Sequence, residues 1–279
     1  MSLLTIAWHS YRGGVGKSLL AVNTAVMLAQ LHKKVMIVDF DLRAPSLQTY
    51  FQDFSENIDF NRNKSSFTDF LIGASSPEDV IQKTDLVNLE FAISDIEILQ
   101  KTSKIRTKLS QSGEGKFLAK LFEFIRYCNK MNYDYLLIDC MPGVTFRSLD
   151  ALVAADQIIV VTRPLKSEIK GLKLMKSECY SKLEGARLTA VMNQVETQKD
   201  LNFTPSEHDI SIINENIEKI SSVLREKPLI PILYTFDRIP FVTERIYIME
   251  EPNHPFSQFI KEFCDLSFKE WEMSKKGSK

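Results

Sequence analysis

The chain reads as an α/β fold, a doubly wound and mostly parallel sheet with helices on both faces. Three observations lead there. Short apolar runs without polar alternation recur at 34–39, 135–139 and 157–162, the pattern of strands buried on both faces. Helix-patterned stretches separate these runs, and strands alternating with helices are joined by parallel crossovers. Finally, the apolar run at 3–8 leads directly into a glycine-rich turn and then a helix-patterned stretch. A strand, a glycine turn and a helix N-terminus together form a cradle for a phosphate group.

The elements follow in order. After the turn, 19–31 reads as a helix with Leu20, Ala21, Thr24, Ala25 and Leu28 on one side. The β-branched run 34–39 is a buried strand. Short helices are expected at 67–71 and 77–82, a strand at 87–92, and an apolar helix at 117–127. Then come a strand at 135–139, a strand at 157–162, a helix at 166–183 and a strand at 188–193. A helix at 211–224, a strand at 229–235 and a closing helix at 255–271 complete the pattern. Residues 101–116 hold Lys101, Lys104, Arg106, Lys108 and Lys116 against Glu114 alone, with Gly113 and Gly115. That stretch reads as a flexible basic insertion in an otherwise single domain spanning 1–279.

Composition bounds the function. The chain has 279 residues, 44% hydrophobic and 25% charged, with a net charge of −1; that balance argues against wholesale polyanion binding. Cys128, Cys140, Cys179 and Cys264 form no C-x-x-C pair, which disfavours a zinc knuckle, an iron–sulfur scaffold or a disulfide framework. No apolar run approaches the ~18 residues needed to span a bilayer, and 3–8 is too short for a signal peptide. A cytoplasmic protein is expected.

Chemistry concentrates in three places. The turn reads Arg12-Gly13-Gly14-Val15-Gly16-Lys17-Ser18, followed by Leu19. Its glycines admit close approach of backbone N–H groups to an anion. Lys17 suits the β- and γ-phosphates of a nucleoside triphosphate, and the Ser18 hydroxyl suits Mg²⁺. The strict pattern for such loops wants glycine at position 11, where this chain has Tyr11. Next, the strand at 34–39 ends in Asp39-Phe40-Asp41; ligands of doubly wound sheets sit at such carboxyl ends. Asp41 is the choice for positioning an attacking water, and Asp39 for supporting the metal. Last, the strand at 135–139 ends in Asp139, a second metal contact, before Pro142-Gly143. The Gly143 N–H is placed to face a γ-phosphate and sense its loss.

These segments, Arg-Gly-Gly-Val-Gly-Lys-Ser at 12–18, Asp-Phe-Asp at 39–41 and Ile-Asp-Cys-Met-Pro-Gly at 138–143, resemble the nucleotide motifs of the MinD/ParA ATPases with their deviant Walker A loop. The resemblance runs from residue 3 to about 268 and is weakest between 51 and 118. It implies ATP and Mg²⁺ as ligands, slow ATP hydrolysis and an ATP-dependent homodimer with nucleotide sandwiched between protomers. In that family the first motif lysine reaches the partner's phosphates; here Arg12 stands in its place. Arginine keeps the charge and adds a planar fork of different length. Three readings stay open for Arg12: action in trans, dimerisation with slow hydrolysis, or loss of hydrolysis, the last opposed by the retained Asp41 and Asp139. The resemblance also implies an adenine contact by Asn193, and by Asp237 with Thr235 where the family has proline.

Within the class, the absence of a suitable cysteine pair, a methionine-rich groove or a tyrosine-rich tail leaves the positioning and partition ATPases. The expected function is a switch that positions or partitions a cargo through an activating or cargo protein. A DNA or membrane surface as scaffold is compatible with the class and not selected by the sequence. Lys166, Lys170 and Lys173 share one helix face with Lys176 nearby, and Phe256, Phe259, Ile260, Phe263 and Leu266 form an apolar stripe. The first is a solvated face or a docking surface; the second reads as a core helix. Rival readings are a metabolic or cofactor-assembly ATPase on the same fold, and a module that binds ATP without hydrolysing it.

Overall fold

The computed structural model describes residues 3–52, 65–95, 115–183, 185–194, 207–224 and 245–277. Its centre is a seven-stranded sheet among those residues, ordered β3-β4-β2-β5-β1-β6-β7. The strands are β1 (Leu4–His9), β2 (Val35–Phe40), β3 (Gln82–Lys83), β4 (Leu89–Ala92), β5 (Tyr135–Cys140), β6 (Gln157–Thr162) and β7 (Arg187–Met192). All neighbours run parallel except β3 and β4. From β1 the chain moves to one side for β2 and β4 and to the other for β6 and β7. The reversal lies at β5 and β1, where ligands bind in folds of this kind.

Alternation along each strand feeds two cores. Leu4, Ile6 and Trp8 of β1 join one core, with α1 (Lys17–Gln30) and the C-terminal helix, while Ala7 faces the other with Met36, Val38, Leu136 and Ile138. The second core is closed by α5 (Lys116–Lys130), α6 (Phe146–Ala154) and α7 (Lys166–Glu178). Helix α1 buries Val22, Val26, Met27 and Ala29 besides its expected apolar side, so it is enclosed nearly all round. That packing explains why its sequence carries little amphipathic contrast.

Some boundaries differ from the sequence reading. Helices α3 (Phe67–Leu71) and α8 (Glu207–Leu224) stand where helices were expected, but the expected 77–82 helix stops as α4 (Pro77–Val80), because Gln82 pairs with Phe91 as β3. The 166–183 helix ends at Glu178, and a 3₁₀ turn, Tyr180–Lys182, follows. Helix α6 and two short helices, α2 (Leu47–Phe51) and α9 (Tyr247–Glu250), were not legible in the pattern. The closing helix α10 (Pro255–Gly277) buries Phe256, Phe259, Ile260 and Phe263, but Leu266 is exposed. The strand expected at 229–235 and the basic stretch, apart from Gly115 and Lys116, lie outside the described residues. All four cysteines are buried and unpaired. Among the described residues no helix is long and apolar enough to cross a membrane.

Candidate functional site

The loop between β1 and α1 sits at the switch point of the sheet. Gly14 (φ 74°) and Gly16 (φ 86°) adopt the left-handed conformation that side-chain-bearing residues avoid. Gly16 is also the N-cap of α1 and gives no side-chain cap, and the first turn carries no acidic residue. The positive end of the helix and its orphan N–H groups are therefore left for an external anion.

Two side chains from the end of β7 hold this loop. The Asn193 amide donates to the Val15 carbonyl at 2.7 Å, and the Gln194 amide donates to the Gly14 carbonyl at 2.9 Å. A peptide C=O and the following N–H point in opposite directions. Fixing the carbonyls of Gly14 and Val15 thus aims the N–H groups of Val15 and Gly16 the other way, as a phosphate cradle requires. Asn193 is buried and its Oδ1 has no hydrogen-bond partner, so one acceptor remains beside the loop. A Cβ on Gly16 would lie 2.2 Å from Asn193 Nδ2; glycine is needed there for space as well as for φ.

Lys17 is buried at the start of α1, and its Nζ donates to Asp139 Oδ1 at 3.1 Å. Burial works against the ammonium, but the charge and hydrogen bond of Asp139 outweigh it and raise the Lys17 pKa. The other oxygen, Asp139 Oδ2, is buried without a partner. A carboxylate oxygen only accepts, so this orphan fits a cation or a bound water. The Ser18 side chain is half-buried beside Lys17 at the first turn. Among the described residues no group of three or more His, Cys, Asp or Glu could hold a metal. A divalent ion here would take Asp139 and Ser18 and complete its shell with phosphate oxygens and water, the habit of Mg²⁺.

Asp39 stands beside Asp139 in register on the neighbouring strand, and its carboxylate is engaged by the backbone that follows it. Its Oδ1 accepts from Asp41 N–H at 3.0 Å, and its Oδ2 accepts from Ser46 and Leu47 N–H at 2.8 and 3.0 Å. Both oxygens shape the segment running into α2. Metal support through Asp39 would compete with these three bonds. Burial, then the Asp139 charge, raises the Asp39 pKa against those same bonds. Asp41, on the segment Asp39 holds, accepts from Arg43 and Ala44 N–H, both at 3.1 Å, through a single oxygen. Burial raises the Asp41 pKa.

The Pro142-Gly143 turn packs against the same loop. Gly143 N–H donates to the Ser10 carbonyl at 2.8 Å, and a Cβ on Gly13 would come 3.9 Å from Pro142 Cγ. Arg12 is exposed, its guanidinium 5.8 Å from the Tyr11 ring centre. Tyr11 itself explains the departure from the strict loop pattern. Its ring occupies the space over Gly171 of α7, where a Cβ would lie 2.0 Å from the ring edge. The ring fastens the loop to α7.

Among the expected site residues, the structure brings Gly13, Gly14, Val15, Gly16, Lys17, Ser18, Leu19, Asp39, Asp41, Asp139, Gly143 and Asn193 to this end of the sheet. Thr235 and Asp237 lie outside the described residues. The sequence reading missed Gln194, Gly171 under Tyr11, and His9 with Tyr180. No motif or periodicity marks them, because each acts across a long sequence separation.

Comparison with known proteins fits this geometry. A family model described as AAA domain matches residues 3–181. The sporulation initiation inhibitor protein Soj of Bacillus subtilis (strain 168) is 27% identical over 198 residues, 71% of this chain and 67% of its own length. Among solved structures, the septum site-determining protein MinD of Pyrococcus horikoshii OT3, complexed with Mg-ADP, superposes with a TM-score of 0.67 at 23% identity, over 93% of each chain. The ATP complex of a McdA variant from Cyanothece gives a TM-score of 0.67 at 19% identity, over 95% of each chain. At such identities the structural likeness is one of fold. The family match covers the phosphate loop and both aspartate-bearing strands, and the chain belongs to the AAA domain family, among the MinD/ParA ATPases.

Proposed function

We propose that this protein is a Mg²⁺-dependent ATPase switch that dimerises on ATP and positions or partitions a cellular cargo. The observation that carries the reading is the buried Lys17–Asp139 pair at the bare N-terminus of α1, under a loop whose carbonyls are held outward. Lys17 and the Val15 and Gly16 N–H groups would bind the phosphates. Ser18 and Asp139 would hold Mg²⁺, which supplies charge neutralisation at the phosphate oxygens. Asp41 would orient a water in line with the γ-phosphate, and Asp39 would hold the segment that carries Asp41. Asn193 Oδ1, with Thr235 and Asp237, would read the adenine amino group. Arg12, exposed at the mouth, would reach the phosphates of a second protomer as a cation in trans.

The relatives named for sporulation control and septum placement support a positioning role, cytoplasmic and peripheral to a nucleoid or membrane surface, with an activating or cargo protein as partner. The test is sedimentation velocity with ADP or with ATP and Mg²⁺, on wild type, Asp41→Ala and Arg12→Ala, alongside phosphate release. Expected are ATP-specific dimers, trapped by Asp41→Ala and weakened by Arg12→Ala. Monomers under every condition with ATP bound would refute the sandwich switch, and unchanged turnover in Asp41→Ala would remove that residue from the chemistry.

A further inference from the structure

His9 ends β1 immediately before the phosphate loop and is fully buried. Its Nε2 lies 3.0 Å from the Gly143 carbonyl and its Nδ1 lies 2.7 Å from the Tyr180 hydroxyl. The carbonyl can only accept, so Nε2 carries the proton. Burial, reinforced by the Lys17 charge, lowers the His9 pKa to about 4, and the ring is neutral with one N–H. Nδ1 must therefore accept, and Tyr180 must donate. The chain of bonds has one direction: Tyr180 O–H to His9 Nδ1, His9 Nε2–H to Gly143 O. The Tyr180 ring also meets the imidazole edge-on, with centroids 5.9 Å apart.

Both ends of this chain sit at informative places. Gly143 belongs to the turn packed under the phosphate loop; Ser148 Oγ donates to the same carbonyl at 2.7 Å. Tyr180 opens the 3₁₀ turn that follows α7, the helix whose outer face exposes Lys166, Lys170 and Lys173 and whose Gly171 carries the Tyr11 ring. We infer that His9 and Tyr180 are positioning residues that set the Gly143 turn against the phosphate loop and couple its movement to the base of α7. This rests on the ATPase reading above. A turn that exchanges its Gly143–Ser10 bond for a phosphate must turn the Pro142–Gly143 peptide, and His9 grips the next peptide, Gly143–Val144, by its carbonyl.

Steady-state phosphate release from ATP with Mg²⁺, and imidazole ¹⁵N NMR with Mg²⁺ and AMP-PNP as the bound probe, test the coupling. Tyr180→Phe removes one oxygen and keeps the ring; His9→Gln keeps one donor and one acceptor; His9→Leu removes both. For Tyr180→Phe and His9→Leu, kcat is expected to fall about 5- to 20-fold with KM within about twofold. The double variant should be no worse than His9→Leu, since the residues act as one chain, and His9→Gln should recover most of the loss. In the wild type Nδ1 should appear as the unprotonated nitrogen and shift when AMP-PNP binds. Full kcat in folded Tyr180→Phe and His9→Leu, or bound AMP-PNP with unmoved His9 resonances, would overturn the coupling while leaving the ATPase reading intact. A chain that binds no nucleotide at all would overturn both.

Discussion

Replacing Lys17 by methionine should destabilise the nucleotide-free protein, apart from any effect on ligand. The ammonium and Asp139 Oδ1 are 3.1 Å apart, with side chains 8% and 0% exposed, and the Asp139 strand neighbour is a second aspartate, Asp39. At that separation Coulomb attraction is about 5 kcal/mol for an effective dielectric constant of ~20. Desolvation opposes it, so the pair is not worth that much net. Removing one partner of a buried pair, however, leaves the other uncompensated and typically costs about 3–5 kcal/mol. Lys17→Met should lose roughly that amount, and Lys17→Met/Asp139→Asn should recover at least about half of it, because the orphaned charge is gone. Urea unfolding of the four proteins of this cycle, without nucleotide, gives each free energy and the coupling between the two sites. A Lys17→Met protein within about 0.5 kcal/mol of wild type, or a coupling energy near zero, would refute the reasoning. It also follows that lost ATP binding in a Lys17 variant has to be read beside its stability.

Two further outcomes are expected. Gly171→Ala should cost on the order of 1–3 kcal/mol in the wild type, where the new methyl meets the Tyr11 ring. In a Tyr11→Ala background the same change should be neutral or stabilising by up to ~1 kcal/mol, since alanine is the better helix former; thermal unfolding of the four proteins checks the sign reversal. The His9 pKa is lowered from 6.5 to about 4, so between those values the unfolded chain binds more protons than the folded one. That contribution is fully present above pH 6.5 and lost as pH falls towards 4, about 3 kcal/mol in all. Wild type should therefore lose that much more stability than His9→Gln between pH 7 and pH 4, other groups cancelling in the comparison. Parallel pH profiles for the two proteins would show that His9 is not held neutral by burial.

Much of the fold was legible because its signals are local. The strand at Gln157–Thr162 and the helix at Phe67–Leu71 have the bounds expected of them, the strand from its unbroken apolar run. Helix α6 was not read, although Phe146, Leu149, Leu152 and Val153 fall at helical spacing: it is nine residues long and exposes Phe146 and Val153, so its apolar stripe is short and only partly buried. Its Thr145–Ser148 capping box was the available signal. Leu266 fitted the stripe of α10 by spacing but points to solvent, because periodicity gives a face and not how far along the helix the core extends.

By itself the sequence determined that a glycine-rich loop follows the first strand and opens a helix, and that aspartates close two buried strands. Each of these is set by neighbours within a few residues: backbone conformation, side-chain period and helix start. Only the tertiary structure decided which groups meet. Placing β5 between β1 and β2 brings Asp139 to Lys17 and Asp39. The end of β7 brings Asn193 to Val15, 178 residues away in the chain, and burial of β1 joins His9 to Tyr180, 171 residues away. Strand order is fixed by covering both faces of the sheet at once, a property of the whole chain that no short window of residues contains.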